Sequence, residues 1–315
     1  MNSGDSRMTN LGSFDWNDLR YFLAVVRNGS TLAAAKALGT SQSTVHRRLL
    51  ELEQRLGHAL VRRHPTGYRP TELGSHIVIH AEGVEAAVLS FQRQLSAVSE
   101  EPAGILRVTC SEVVGSRLMR SPLIEKFNSR YPALRVELVM NNKLLDLAKG
   151  EADIAIRAAA PVEGPLFGRK IATWHWALYA TRSYVKRHGR IERCEDIGGH
   201  PVIMLEGLAR DLAAARWLRS VAPNAKIVAS SDSVPTLLLA VKSGVGIGLL
   251  PLVVGDPERD LQRLLDPIPR VVTDFYLLMH EDMRRTPRVR AFFDFIVDEL
   301  KVVRPILGDD TERTG

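Results

Sequence analysis

The stretch GTSQSTVHRRLLELEQRLGHAL, residues 39–60, decides the architecture of the N-terminal part of the chain. Ser41 belongs to the residue types that cap helix N-termini. The apolar residues that follow recur at intervals of four, three and four, which at about 100° per residue places them on one helix face: Val45, Leu49, Leu52 and Leu56. The stretch therefore predicts an amphipathic helix that begins after Ser41 and buries this face.

Two shorter helices are predicted upstream. Apolar residues at i, i+3, i+4 and i+7 indicate a helix over residues 16–27 that ends at Gly29. Ser30 is a good N-cap for a second helix over residues 31–38, whose alanines allow close packing. The remaining cap residues are Asp15 or Asn17 before the first helix and Gly39 after the second.

A polar face near the start of the third helix carries side chains that can contact nucleic acid. Gln pairs with adenine, Arg with guanine or phosphate, and Ser or His with base edges or backbone. A helix, a short turn and a second helix with such residues is the geometry that enters a DNA major groove. The face consists of Gln42, Ser43, His46 and Arg47.

A basic segment follows this helix. LVRRHPTGYRPTELG, residues 60–74, is interrupted by Pro and Gly and predicts a short hairpin. Over residues 41–71, six Arg stand against two Glu, an excess that suits phosphate and minor-groove contacts. The alternative is a solvated polar face on a helical bundle, which is common but does not account for this excess. The predicted DNA-contacting residues are Ser30, Ser41, Gln42, Ser43, Thr44, His46, Arg47, Arg62, Arg63 and Arg69.

A long helix is predicted over residues 71–99, where proline is absent and Thr71 is a suitable N-cap. Its apolar residues alternate at intervals of four and three, which is the seam of a two-helix coiled coil. The alternative is a long helix packed on its own domain. The predicted seam consists of Ile77, Ala81, Val84, Val88, Phe91, Leu95 and Val98.

The remaining two-thirds of the chain predicts an α/β domain that follows a hinge-like EPAG at residues 101–104. In α/β units, ligands bind at the carboxyl ends of the strands. Strands are predicted at residues 105–110, 134–140, 153–157, 175–180, 201–205, 226–230 and 275–280. Helices are predicted at residues 116–130, 142–149, 208–220, 233–243 and 287–303.

Polar side chains at strand ends and helix starts are the candidates for a small-molecule site. Ser111, Asp232 and Ser233 are equally suited to be helix caps, and Arg157 to pair with a neighbouring carboxylate. Gly246 belongs to a GxGxG motif that precedes an apolar run instead of opening a helix, so no phosphate loop is predicted. The predicted ligand-binding residues are Ser111, Glu112, Asn141, Asn142, Arg157, Glu206, Asp232, Ser233 and Gly246.

The donors in this set favour a small carboxylate as the ligand. Arg157 offers a planar guanidinium, and Ser111, Ser233 and the following helix N-termini offer further donors to an anion. Glu112 and Glu206 suit an amine or an amino acid equally well. The charge of the ligand therefore stays open, with a carboxylate preferred.

Composition excludes several classes of protein. The chain has 315 residues, is 45% hydrophobic and carries a net charge of +6, which fits a folded protein with a polyanionic partner. Cys110 and Cys194 have no ligand-like spacing, so neither a zinc site nor a disulfide framework nor another cofactor is predicted. Residues 234–254 are apolar but contain Pro, Gly and Lys, which disfavours a membrane span. Residues 1–13 lack the apolar core of a signal peptide and predict a flexible extension of a cytoplasmic protein.

Three functions fit this organisation: a ligand-responsive DNA-binding regulator, a solute-binding protein with an added helical domain, and an enzyme. The missing export signal and the basic hairpin argue against a solute-binding protein. Scattered histidines and the lack of GxSxG, HExxH or paired carboxylates beside a nucleophile argue against an enzyme. A regulator without catalytic activity is the preferred prediction.

Residues 18–74 resemble the DNA-binding region of LysR-type transcriptional regulators. Ser43 stands where that family usually has Pro, and His46 where it usually has Ser. Both lie on the predicted base-contacting face, so the resemblance implies DNA binding but not a particular operator sequence. Weaker resemblance continues to about residue 303 through FNSRYPALRVELV, GEADIAIR, SYVKRHG, EDIGGHP and SGVGIGLLP. The matched positions in the first region are Gly29, Ser30, Ala34, Ala35, Leu38, Ser41, Gln42, Leu52, Glu53, Leu56, Gly57, Leu60, Arg63 and Thr71.

The resemblance implies an N-terminal all-α winged helix-turn-helix, a linker helix that dimerises, and an α/β domain of two lobes like a periplasmic binding protein. Its implied partners are double-stranded DNA, a small-molecule effector between the lobes, further copies of the chain as a dimer or a tetramer, and RNA polymerase if the regulator is an activator. The crossovers between lobes are expected near residues 158–162 and 267–271. The expected segments are an extension 1–13, a DNA-binding domain 14–71, a linker 72–100, an effector domain 101–303 (lobes 101–160 plus 268–303, and 161–267) and a tail 304–315.

Overall fold

The computed structural model describes residues 15–96, 101–141, 145–158 and 165–308. The chain divides into two compact units, residues 1–92 and 93–315. Two predicted site residues, Asn142 and Val98, lie outside the described residues, as does the predicted extension 1–13.

The N-terminal unit contains three short helices, a two-stranded hairpin and most of a long helix. Asp15, Ser30 and Ser41 cap the short helices, because their side chains accept hydrogen bonds from the backbone N–H groups of the first turns. Each short helix ends at a glycine in the left-handed conformation. The elements are α1 (Trp16–Asn28), α2 (Thr31–Leu38), α3 (Gln42–Leu56), β1 (Val61–His64), β2 (Gly67–Pro70) and α4 (Glu72–Ser96).

The core of this unit buries the predicted apolar face of α3 with one exception. Val45, Leu49 and Leu52 are at most 2% exposed and pack with Phe22 of α1. Leu56 was predicted on the same inward face but is 36% exposed. It is the last residue of α3, next to the turn at the C-cap, so the helix ends before Leu56 is covered.

The hairpin β1–β2 is held against the helices by backbone contacts. One carboxylate oxygen of Glu53 accepts hydrogen bonds from the N–H groups of Leu60 (2.7 Å) and Val61 (3.0 Å). Gly67 has a φ of 126°, and a Cβ there would lie 2.1 Å from the carbonyl oxygen of Gly29. This turn therefore requires glycine.

Most of α4, up to residue 92, belongs to the N-terminal unit. The Thr71 hydroxyl accepts a hydrogen bond from the Gly74 N–H at 2.9 Å, as expected of an N-cap. Arg27 at the end of α1 pairs with Glu82 (3.0 Å) and Glu85 (2.7 Å) of α4. These bonds fix the direction in which the long helix leaves the core.

The C-terminal unit is built on a mixed sheet in the order β4-β3-β5-β11-β6-β9-β7-β8, with β10 paired to β6. β3 runs parallel to β4 and β5, whereas β11 runs antiparallel to β5 and β6. The strands are β3 (Gly104–Cys110), β4 (Leu134–Met140), β5 (Ile154–Arg157), β6 (Leu166–Thr181), β7 (Val202–Leu205), β8 (Ile227–Ser231), β9 (Ile247–Pro251), β10 (Leu261–Arg263) and β11 (Val272–His280).

Two hydrophobic cores divide this unit into two lobes, and β6 passes through both. Trp174 belongs to the first core and Trp176 to the second, so the outgoing chain crosses between them. This crossover therefore lies within β6, later than the predicted residues 158–162, because Ile156 and Phe167 both pack in the first core. Residues 159–162 themselves lie outside the described residues. The returning chain crosses between Val271 and Phe275, just after the predicted residues 267–271.

Several predicted helices are shorter than expected. The single helices predicted at residues 116–130 and 287–303 are each two helices, and the one at 208–220 is a 3-10 turn followed by α8. Residues 145–149 of the helix predicted at 142–149 form turns, because the Asp146 carboxylate accepts bonds from the Ala148 and Lys149 N–H groups. The predicted tail from residue 304 begins inside α12. The helices are α5 (Glu112–Arg120), α6 (Leu123–Arg130), α7 (Arg182–His188), α8 (Ala213–Val221), α9 (Val234–Lys242), α10 (Leu252–Gly255), α11 (Pro287–Asp298) and α12 (Leu300–Leu307).

Candidate nucleic-acid interface and ligand cavity

The start of α3 presents a set of interacting hydroxyl groups. The Ser41 hydroxyl accepts from the Thr44 N–H at 3.1 Å and lies 2.9 Å from the Ser43 hydroxyl and 2.8 Å from that of Thr44. Ser30 has the same capping role on α2, where it accepts from the Ala33 N–H at 3.0 Å. These contacts hold the helix end in shape and leave the exposed Ser43 at its surface.

Gln42, His46 and Arg47 project from the same end of α3, and all three are exposed. The Gln42 amide nitrogen donates to the Thr31 hydroxyl at 3.1 Å, a contact between two helices that no local sequence pattern predicts. Arg47 pairs with Glu51 one turn later at 2.7 Å, and its side chain remains 59% exposed. An exposed pair of this kind contributes at most about 1 kcal/mol, so Arg47 can exchange Glu51 for a nucleic-acid acceptor.

Two other arginines of α3 have structural roles. Arg48 and Arg55 each lie 3.1 Å from a carboxylate oxygen of Asp18, which is fully buried in α1. A buried carboxylate requires such partners, because an unpaired charge in the core would be strongly destabilising. The basic excess of this region therefore includes two arginines that hold α3 against α1.

The hairpin carries three exposed arginines, Arg62, Arg63 and Arg69. Arg62 on β1 is directly opposite Arg69 on β2. Among the described residues, no carboxylate forms an ion pair with any of the three. Like charges at facing positions destabilise a hairpin, whereas an anion between them would relieve the repulsion.

The predicted seam on α4 divides into two parts. Ile77 and Ala81 pack on the core of the N-terminal unit, as the alternative of a helix packed on its own domain required. Further along, the seam is open: Val84 is 38%, Phe91 61% and Leu95 57% exposed. The later part of the helix thus presents an uncovered apolar stripe.

A cavity of about 290 Å³ lies between the two lobes of the C-terminal unit. In the first lobe, the ends of β3 and β5 and the start of α5 line this cavity. In the second lobe, the start of α9 lines it. The cavity brings together six of the nine predicted ligand-binding residues: Ser111, Glu112, Asn141, Arg157, Asp232 and Ser233.

Two predicted residues belong elsewhere. Glu206 does not line the cavity, because its carboxylate pairs with Arg219 of α8 at 3.1 Å. Gly246 packs against the backbone before β7, where a Cβ would lie 2.7 Å from the Pro201 carbonyl oxygen. The absence of a side chain at Gly246 therefore allows its backbone to pack closely against the backbone at Pro201.

Arg157 lines the cavity as a half-buried cation. Its guanidinium donates to the Leu145 carbonyl oxygen. Burial lowers the pKa of Arg157, and the nearby acids Asp146 and Glu151 oppose that effect. Within the described ranges no carboxylate lies within ion-pair distance of it.

The two helix starts at the cavity differ as anion sites. Ser111 occupies the N-cap position of α5 but its side chain makes no capping hydrogen bond, so its hydroxyl and the first-turn N–H groups can serve a ligand. Ser233, by contrast, accepts from the Thr236 N–H and donates to the Thr236 hydroxyl at 3.0 Å. Pro235 in the first turn of α9 has no N–H to offer.

Aromatic walls of the cavity were not identified from the sequence. Trp174 and Phe275 have ring centroids 4.3 Å apart, and the Trp176 indole N–H donates to the Thr273 hydroxyl at 3.0 Å. The only sequence signal was the spacing of two between Trp174 and Trp176, which places both on one face of a strand. The walls provide apolar surface for the body of a ligand.

Glu112 and Asp232 bring negative charge to the cavity from opposite lobes, and both are exposed. Cys110 also lines it, and burial raises the pKa of this thiol to about 11. In the part of the chain that the structure describes, no group of three or more His, Cys, Asp or Glu is arranged to hold a metal ion. None of the described helices is long and apolar enough to cross a membrane.

Comparison with known proteins identifies the family of both units. Residues 16–75 match the model of the bacterial regulatory helix-turn-helix protein, lysR family, and residues 99–301 match the LysR substrate binding domain. An HTH-type transcriptional regulator of Xanthomonas campestris pv. campestris is 29% identical over 297 residues, covering 91% of this chain and 86% of that protein. The regulator CrgA of Neisseria meningitidis serogroup C is 28% identical, covering 90% of this chain and 96% of CrgA.

Solved structures give the same result. That of CrgA, a LysR-type transcriptional regulator from Neisseria meningitidis, aligns with a TM-score of 0.54 and 26% identity over 91% of this chain and 99% of CrgA. The full-length Vibrio cholerae virulence activator AphB shares the fold, with a TM-score of 0.61 and 23% identity over 90% of this chain and 99% of AphB. The chain belongs to the LysR family of DNA-binding transcriptional regulators with an effector-binding domain, and not to a family of enzymes.

Proposed function

We propose that this regulator recognises its operator with Gln42, Ser43, His46 and Arg47 in a major groove, and holds the adjacent backbone with the arginines of the hairpin. The observation that carries the proposal is that Arg62 and Arg69 are directly opposite in the hairpin, exposed, and without an ion-paired carboxylate among the described residues, so the hairpin presents adjacent cations to an anionic partner. Ser30, Ser41 and Thr44 are assigned to the helix ends that support this surface. The protein acts on DNA in the cytoplasm, and contact with RNA polymerase follows if it is an activator.

Dimerisation through the later part of α4 completes this proposal. The exposed stripe of Val84, Phe91 and Leu95 would be covered by the same stripe of a second copy. Two copies would then present two groove-binding helices to the two halves of a palindromic operator. A tetramer would arise as a dimer of such dimers.

The DNA assignment is tested by comparing Arg47→Ala with Arg63→Ala. If Arg47 contacts a base, its removal weakens operator binding by about 1–3 kcal/mol and relaxes base preference. If Arg63 contacts phosphate, its removal weakens operator and random duplex alike and flattens the salt dependence. Affinities for both duplexes at two salt concentrations separate these cases, and unchanged binding in both variants removes the assignment.

For the effector we propose a small carboxylate bound between the lobes. Arg157 supports it, because a half-buried guanidinium without a carboxylate partner in the described residues gains most from an anionic ligand. The uncapped start of α5 supports it as well, since Ser111 and the first-turn N–H groups offer donors nearby. The aromatic walls would cover the apolar part of the acid.

The alternative is an amine or an amino acid, which Glu112 and Asp232 favour. Thermal stabilisation of the full-length chain by matched panels of small acids, amines and amino acids distinguishes the classes. Stabilisation by acids alone supports the carboxylate. Stabilisation by amines alone would reject the carboxylate proposal and assign Arg157 a structural role.

A further inference from the structure

The amide of Gln42 is held by a residue on a different helix. Gln42 is the first residue of α3, and its amide nitrogen donates to the hydroxyl of Thr31, the first residue of α2, at 3.1 Å. Among the described residues this hydroxyl is the amide's one hydrogen-bond partner. The neighbouring hydroxyls of Ser41, Ser43 and Thr44 are bonded to one another instead.

This bond leaves the amide with the groups that a base contact needs. A carboxamide has two N–H donors and a carbonyl acceptor, and Thr31 occupies one donor. The second N–H and the carbonyl remain, which is the donor and acceptor pair that matches N7 and the amino group of adenine in the major groove. A glutamine without such a bond would rotate freely and present either end of its amide to a base pair.

Thr31 itself is too deeply buried to contact a base. It is 4% exposed, whereas Gln42 is exposed. Its effect on DNA recognition must therefore act through Gln42. Because the bond exists without DNA, the glutamine is already oriented before binding, and less side-chain freedom is lost when the complex forms.

We propose that Thr31 is a positioning residue for operator specificity, which orients Gln42 so that it selects one base pair. The inference rests on the proposed function, in which Gln42 contacts a base. It assigns this specificity to a hydroxyl on α2, outside the helix that enters the groove. Base selection at that position is then a joint property of α2 and α3.

The test uses the full-length protein and selection of bound duplexes from a random library. The base-pair position contacted by Gln42 is identified as the one whose preference is lost in Gln42→Ala. Thr31→Val keeps the shape of the side chain and removes the acceptor, so it should reduce the preference at that same position by about threefold to tenfold, the range for one neutral hydrogen bond. Preferences at other positions should be unchanged.

Two further variants separate positioning from a loss of structure. Thr31→Ser retains the hydroxyl and should restore the preference. In a Gln42→Ala background, Thr31→Val should have no further effect on any base preference. Each variant is accepted only if its melting temperature matches that of the wild type.

The outcomes distinguish the inference from the function on which it depends. If Gln42→Ala loses a preference and Thr31→Val does not, Thr31 only supports the fold and the inference is overturned while the groove assignment stands. If Gln42→Ala loses no preference, both fail. If Thr31→Val lowers affinity for all sequences equally, its role is structural and the inference is also rejected.

Discussion

Arg62 and Arg69 face each other across the two strands of the hairpin, with no carboxylate of the described residues paired to either. In the free protein this arrangement costs stability, because like charges at facing positions repel. In the proposed complex, phosphate oxygens close to both guanidinium groups would offset this cost. Removal of one of these two arginines should therefore weaken nucleic-acid binding without lowering the stability of the free protein.

We expect Arg69→Gln to weaken binding to operator and random duplex alike. Loss of one phosphate contact should reduce the slope of log affinity against log salt by about 0.9. The melting temperature should stay the same or rise, since a repulsion has been removed. Titrations at several salt concentrations measure both quantities, with the exposed Arg190→Gln as a control of equal charge. A slope that changes as little in Arg69→Gln as in the control would contradict a phosphate contact.

We expect Phe91→Asp to convert the protein to monomers. Phe91 is 61% exposed on the open part of the α4 stripe, and a carboxylate there would be desolvated in a dimer without a partner. Ile79→Asp is a matched control, because Ile79 is 70% exposed on the same helix but off the seam. Sedimentation should show a monomer for the first variant and an unchanged assembly for the second. An intact dimer with Asp at position 91 would require another interface.

The N-terminal unit could be predicted closely because its signals are local. Ser30 and Ser41 act as caps within three residues of their targets, and the period of Val45, Leu49 and Leu52 is a property of one helix. Leu56 fits the same period but is exposed, since periodicity does not report where neighbouring helices end. The Thr31 hydroxyl was missed for a related reason: its partner Gln42 is eleven residues away on another helix.

The cavity was predicted less completely because its residues meet only through long-range folding. Ser111 and Arg157 were found as polar residues at strand ends, which is a local rule. Glu206 satisfies the same rule, yet Arg219 draws it to a different surface. Trp174 and Phe275 are distant in sequence, and β6 crosses between the lobes without a loop to mark the position.

We expect Cys110 to resist alkylation. Burial raises the pKa of its thiol from 9.0 to about 11, so near neutral pH the reactive thiolate is about 100-fold rarer than for an unperturbed cysteine. Because the thiol is neutral below that pKa, the rate should keep rising with pH beyond the range where an ordinary thiol levels off. Cys194→Ser isolates Cys110 for iodoacetamide labelling followed by mass spectrometry, and Cys110→Ser isolates Cys194. Equal rates for the two cysteines would show that Cys110 is accessible as thiolate.

We expect Arg157 to bind the carboxylate of the acid that gives the greatest thermal stabilisation. A bidentate contact needs the planar guanidinium, so Arg157→Lys should already weaken binding of that acid. Arg157→Ala should weaken it by about 10-fold to 100-fold, the range for a hydrogen-bonded charge pair. Basal operator affinity should be retained, because the residues proposed to contact DNA lie in the N-terminal unit. Calorimetric titration measures acid binding, and the exposed Arg135→Ala controls for loss of a positive charge from the same unit.

Arg157 already donates to the Leu145 carbonyl oxygen, so a purely structural role predicts a lower melting temperature with unchanged acid affinity. That result would reject Arg157 as the carboxylate partner and leave the start of α5 at Ser111 as the anion site to test next.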